Sequence, residues 1–148
     1  MNTMPLSAVT VLDRIRVVLS HPSHPGNIGA AARGMKAMGL SRLVLVNPKL
    51  FPDAQADAMA AGATDLLVQA EVVSSLPEAL SGTVLAVAMT ARRRELAVPA
   101  LWARDAAAEL IASAGSGEVA LVFGNETSGL SNDELAMCRR WAMIPVNP

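Results

Sequence analysis

The residues best suited to chemistry begin in "HPSHPGNIGAAARGMKAM" (21–38), where a turn rich in proline, histidine and glycine runs into an alanine-rich helix. Asn27 opens that helix and Arg33 lies further along it. Arginine is the side chain suited to phosphate and planar groups. Ile28, Ala32, Met35 and Met38 form the apolar stripe. Arg33 lies off it and is expected to lean toward the amino terminus over Gly29 and Ala30, into the loop that holds Asn27. Free N–H groups of the first turn point there too, which predicts a donor-rich phosphate pocket. An exposed helix arginine is the alternative at this point. A second group is "GNETSG" (124–129), with Glu126, and a third is "TARRR" (90–94), with Arg92, Arg93 and Arg94.

Other chemistries find less support. The first loop lacks the G-x-G-x-x-G of dinucleotide-binding folds, and "GNETSG" has no Lys-Ser or Lys-Thr after it, as a P-loop requires. His21 and His24 have no cysteine or acid near them in sequence and make a poor metal site. A G-x-S-x-G nucleophile turn is missing. Cys138 is the single cysteine, so no internal disulfide can form, and its surroundings read as a small buried side chain on a helix.

These residues need a scaffold, and the apolar runs supply one. "IRVVLS" (15–20), "RLVLV" (42–46), "TVLAVAM" (83–89), "VALVF" (119–123) and "WAMIPV" (141–146) are nearly continuous, as in strands buried on both faces. Helical patterns alternate with them: Ile28 to Met38, Asp53 to Ala61, Trp102 to Ala114 and Ser131 to about Arg140. The alternation predicts an α/β fold, a mainly parallel sheet with helices on both faces. In "GLSNDEL", Ser131 and Glu134 form a capping box flanked by Leu130 and Leu135. In a parallel sheet the loops after the strands share one edge, where ligands bind, so "HPSHPGN", "TARRR" and "GNETSG" should converge.

The chain has 148 residues, 52% of them hydrophobic and 3% aromatic, which suits one domain with an aliphatic core. Its net charge is −1, yet the charges are segregated. Arg14, Arg16, Arg33, Lys36, Arg42 and Lys49 form a block without acids, and Arg139 and Arg140 a later pair. If these meet Arg92 to Arg94 in space they make a local phosphate surface; solvated faces are the alternative reading. No apolar run reaches membrane-spanning length and the amino terminus lacks an export-signal pattern, which predicts a cytoplasmic protein.

"HPGNIGAAARGMKAMGLSRLVLVNP", then "TARRR", then "LVFGNETSGLSNDEL…C…MIPVNP" resemble the SPOUT, or trefoil-knot, RNA 2′-O-methyltransferases. The TrmJ branch of the TrmH-like group, which methylates ribose in the tRNA anticodon loop, is the nearest likeness. The match runs from about Ile15 to Pro148, and its two blocks, N-x-G-x-x-x-R and F-G-x-E-x-x-G-L, are specific in combination. The resemblance implies S-adenosyl-L-methionine as methyl donor, a homodimer, an RNA substrate and no metal. It also implies a catalytic set of Asn27, Arg33 and Glu126. Cofactor loops fall at Thr90 and Ala91, at Phe123, Gly124, Glu126 and Gly129, and at Ile144 and Pro145. Arg33, Lys36, Arg92, Arg93 and Arg94 become candidates for RNA contact. Glu126 either acts in catalysis, shapes its loop or pairs with an arginine. Asn125 stands where this branch often has another residue, and no role is expected of it.

The family continues past the "IP" strand with a block beginning Ser-Leu-Asn. A single domain over 1–148 shortened before that block, with an incomplete knot, is therefore expected. Two other readings stay open: a nucleotide-binding α/β enzyme of another class, taking NAD or FMN, and a non-catalytic RNA-binding relative.

Overall fold

The computed structural model describes residues 11–90 and 101–143. Among the described residues, seven strands form one sheet: β1 (Ile15–Ser20), β2 (Arg42–Val46), β3 (Glu71–Val73), β4 (Thr83–Thr90), β5 (Leu101–Trp102), β6 (Glu118–Phe123) and β7 (Arg140–Met143). Their spatial order is β3-β2-β1-β6-β4-β7-β5, and every pair is parallel. From β1 the chain moves outward to β2 and β3, then crosses back to β4. Later β6 enters between β1 and β4. The reversal of direction lies at β1 and its neighbour β6, where a parallel sheet opens a crevice at its carboxyl edge.

Among the described residues, the sheet is accompanied by the helices α1 (Pro25–Ala37), α2 (Ala54–Ala60), α3 (Thr64–Val68), α4 (Leu76–Leu80), α5 (Ala103–Ala114) and α6 (Asn132–Ala136). One face of β1 and β2, carrying Val17, Leu43 and Leu45, packs on Ile28, Ala32 and Met35 of α1 and on α2 and α3. Further along the same face, Ile15, Leu85, Val87 and Val119 meet Ala106, Leu110 and Ala114 of α5. The opposite face, with Val18, Val44, Ala86, Ala120 and Val122, is covered by α4, α6 and Cys138. Alternate residues of each strand thus feed cores on both sides, which is why the strands read as unbroken apolar runs.

The helix ends follow from local chemistry. His24 is the extended N-cap of α1 and Pro25 takes the first turn, where its missing N–H costs nothing. Asn27 is therefore inside the first turn, not at its start. At the other end Gly39 adopts φ 80°, its N–H donates to Lys36 O, and Leu40 N–H donates to Met35 O, a Schellman stop. The capping box of α6 is present: Glu134 N–H donates to Ser131 Oγ at 3.1 Å and Ser131 N–H to Glu134 Oε1 at 2.8 Å.

Several expectations need correction. The last helix stops at Ala136, and Arg140 already belongs to β7. Trp141 Nε1 donates to Leu135 O and Cys138 O, satisfying carbonyls that a longer helix would have used. β3, β5, α3 and α4 were not expected; each has five residues or fewer, too short for periodicity to register.

Gly29 does not clear a path for Arg33. A Cβ there would lie 2.1 Å from Ala56 O, so the missing side chain lets α1 and α2 pack backbone to backbone.

Three members of the first basic block, Arg14, Arg16 and Arg42, lie away from the site as well. Arg16 and Arg42 both pair with Glu118 Oε1 at 2.7 Å, Arg16 also donates to Ala79 O and Ser81 O, and Arg14 donates to the carbonyls ending α5. All of these lie at the amino edge, where one carboxylate bridges two guanidiniums and helix-end carbonyls accept from the third. Arg140, of the later pair, is taken by Glu109.

Candidate active site

Two loops meet at the carboxyl edge because β1 and β6 are hydrogen-bonded neighbours, with Leu19 opposite Phe123. The loop after β6 is tightly closed. Gly129 N–H donates to Asn125 O at 2.8 Å, and the Asn125 side chain accepts the N–H groups of Thr127 and Ser128. Gly129 has φ 70°, favoured by glycine, and a Cβ on Gly124 would come within 2.3 Å of Gly129. Both glycines of "GNETSG" are thus required by shape.

That closed loop aims Glu126 at the start of α1. Ser23 N–H donates to its carboxylate at 2.9 Å and His24 N–H at 2.8 Å, with Asn27 Nδ2 at 3.4 Å. His24 Nδ1 lies 3.4 Å away. No acid lies in the first turn of α1, and His24 makes no side-chain cap, so Glu126 supplies from another loop the negative charge a helix amino terminus favours. Burial pushes the Glu126 carboxyl up, but the N–H groups of Ser23, Glu126 itself and His24, and the Asn27 amide, outweigh it and hold the pKa at about 2.

The donor-rich pocket expected for a phosphate therefore exists, but an internal carboxylate fills it. Glu126 is unsuited to a general base, since a carboxylate with a pKa of about 2 has little proton affinity. Arg33 is exposed and, among the described residues, has no hydrogen-bond or ion-pair partner. Its charge is available to a ligand. Lys36, another candidate for RNA contact, is engaged by Asp65 at 3.0 Å and Gly62 O at 3.2 Å.

Asn27 and Glu126 also rim a mostly apolar cavity of about 380 Å³, floored by Leu19, Leu121 and Phe123 and walled by Met35 of α1 and by Met38, its C-cap. On the opposite side of the two loops lies a smaller polar cavity of about 210 Å³. There Ser20, 1% exposed, donates to Glu134 and contacts His21 Nδ1 at 3.0 Å. Burial raises the Glu134 pKa, and the donors of Ser131 and Ser20 outweigh it and lower the value. Cys138 sits beneath, its thiol pushed up to about 11 by burial and by Glu134, which marks it as inert packing.

Of the expected cofactor residues, Thr90 ends β4, and Phe123, Gly124, Glu126 and Gly129 belong to the β6 loop beside it. Ala91, Arg92, Arg93, Arg94, Ile144 and Pro145 lie outside the described residues. Asn125, of which nothing was expected, makes four side-chain hydrogen bonds at the junction of the two loops. A legible signal was its place before Glu-Thr-Ser-Gly, the setting of an Asx turn to the residue two further on.

The described site thus joins two hydrogen-bonded loops to helix α1 and brings together an amide, an orienting carboxylate and a guanidinium without a partner among the described residues. Residues 14–148 match the model of the SpoU rRNA Methylase family. The chain belongs to that family. It is 52% identical over 139 residues to the tRNA (cytidine/uridine/adenosine-2′-O-)-methyltransferase TrmJ of Pseudomonas aeruginosa (strain UCBPP-PA14), covering 93% of this chain and 54% of that protein. The chain thus spans about half the length of the curated relatives it matches. Among solved structures it is similar to TrmJ from Z. mobilis ZM4, with a TM-score of 0.83 and 34% identity over 90% of this chain and 59% of that one. The SpoU methyltransferase AviRb from Streptomyces viridochromogenes, solved in complex with the cofactor AdoMet, shares the fold, with a TM-score of 0.66 and 21% identity over 100% of this chain and 57% of that one. Family and fold agree with the resemblance carried by the two sequence blocks.

Proposed function

We propose that this SpoU-family chain carries the catalytic elements for methylation of a ribose 2′-hydroxyl in tRNA, in the anticodon loop, with S-adenosyl-L-methionine as donor. The observation that carries the reading is the junction of the family's two blocks: Asn27 donates to Glu126 at the carboxyl edge, with Arg33 further along the same helix and unpaired among the described residues. Thr90, Gly124 and Gly129 end or follow adjacent strands and fit one side of a cofactor cleft. When bound there, the cofactor supplies an electrophilic methyl group for in-line transfer to an oxygen.

The protein's part is positioning and charge. Glu126 accepts a hydrogen bond from the Asn27 Nδ2 group, which leaves the Asn27 carbonyl oxygen to accept from the ribose hydroxyl. Arg33 holds the neighbouring phosphate and offsets negative charge as the hydroxyl gives up its proton to solvent water. Arg92, Arg93 and Arg94 extend the RNA contact. Two copies of the chain form a homodimer, and the work takes place in the cytoplasm, where the substrate is.

The test is calorimetric titration of S-adenosylhomocysteine, with NAD as control, followed by transfer of labelled methyl groups to unmodified tRNA. Selective binding and RNA labelling are expected. Binding of NAD instead would favour a redox enzyme, and a bound homocysteine analogue without RNA labelling would favour a non-catalytic relative. Sedimentation equilibrium tests the dimer.

A further inference from the structure

We propose that Asn125 is a positioning residue for this site, an inference that rests on the function proposed above. Its amide clamps the loop after β6 to the loop after β1. Nδ2 donates to His21 O at 2.9 Å and to Ser23 Oγ at 2.8 Å, while Oδ1 accepts from Thr127 N–H at 2.8 Å and Ser128 N–H at 3.1 Å. The amide orientation is forced, because backbone N–H groups can only donate and the His21 carbonyl can only accept. Every hydrogen-bonding position of the side chain is used, half of them within its own loop and half across to the other.

The partners across the gap explain why this matters. His21 is a non-glycine residue at φ 55°, a left-handed conformation that persists only where the surroundings hold it. One restraint is His21 N–H donating to Val46 O at 2.8 Å, and Asn125 supplies another at the carbonyl of the same residue, in the following peptide. The next residues, Ser23 and His24, are those whose N–H groups bind Glu126. Two consecutive side chains, Asn125 and Glu126, therefore grip consecutive stations of one loop. That loop leads directly into the first turn of α1 and sets where Asn27 stands. Asn125 touches neither Asn27 nor the expected position of the substrate. It acts through the loop.

Asn125→Asp separates this role from a local one. The carboxylate still accepts from Thr127 and Ser128, preserving the loop's own turn, but replaces the donor facing His21 O with a repelling oxygen. Amide hydrogen exchange and tRNA methylation are measured on wild type and variant. Expected are a roughly tenfold faster exchange at Ser23 and His24, no more than a twofold change at Thr127 and Ser128, and a roughly tenfold fall in kcat with KM and S-adenosylhomocysteine affinity unchanged. Wild-type exchange at Ser23 and His24 in a folded variant overturns the proposal, and so does wild-type kcat. Ser23→Ala, which removes one acceptor and little packing, serves if the aspartate variant fails to fold; a roughly threefold effect on both readouts is expected, and none overturns the proposal. Absence of methylation by wild type would refute the functional reading, while the exchange measurements would still decide whether the clamp exists.

Discussion

Replacing Glu126 by glutamine removes one charge and reverses one hydrogen-bonding position while keeping the shape of the side chain. In the folded protein the carboxyl is held at about 2, against 4.5 for an ordinary glutamate. A gap of that size corresponds to at most about 3 kcal/mol of stability at neutral pH. The side chain keeps 19% of its exposure, and solvent screening reduces the expected loss in Glu126→Gln to about 2 kcal/mol. The sign follows from the depressed value: the stabilisation is fully present above pH 4.5 and is lost as pH falls toward 2. Urea unfolding of both proteins across that interval is the assay. Other carboxylates titrate alike in the two, so their contributions cancel in the difference. The gap between wild type and variant should be about 2 kcal/mol at pH 7 and close progressively below pH 4.5. A difference that is constant with pH, or below about 0.5 kcal/mol throughout, would refute the internal-anion account of this carboxylate.

Arg33→Ala should lower methylation by at least about 100-fold while leaving S-adenosylhomocysteine affinity and the unfolding midpoint unchanged, because the side chain is exposed and unpaired among the described residues. Gly29→Ala should cost about 3 kcal/mol in urea unfolding, since its Cβ meets the backbone of Ala56 and neither helix can yield without repacking. Glu118→Gln should cost about 1 kcal/mol, discounted for its partial exposure, and leave methylation unaltered, because Arg16 and Arg42 lie at the far edge of the sheet. The Glu118 pKa is lowered by its hydrogen bond from Arg16, against burial, so this loss should fade as pH drops below the ordinary carboxylate range.

The long strands were readable because each is buried on both faces and nothing else produces unbroken β-branched runs of that length. The short edge strands β3 and β5 carry no such signature, since an edge needs to bury little. The loops that build the site were readable as places, because a parallel sheet must put them on one edge, and as motifs, through their glycines and charges. Their internal wiring was not. Nothing in the spacing of Asn27 and Arg33 reveals that the anion at the start of α1 is Glu126, contributed from a loop distant in sequence. Charge blocks misled for a related reason: Arg14, Arg16 and Arg42 are close in sequence to the site but sit at strand beginnings, and a strand's length separates its two ends. Gly29 is the same lesson at atomic scale, its smallness answering to Ala56 on a neighbouring helix.

The central claim is that the edge bearing Asn27, Arg33 and Glu126 directs a methyl group to a ribose oxygen. The most direct measurement is mass spectrometry of nucleosides from tRNA incubated with the protein and S-adenosylmethionine deuterated at its methyl group. The account predicts the label on the 2′-oxygen of an anticodon-loop nucleotide, absent with Arg33→Ala. Label on a base, or label undiminished by that substitution, would contradict it.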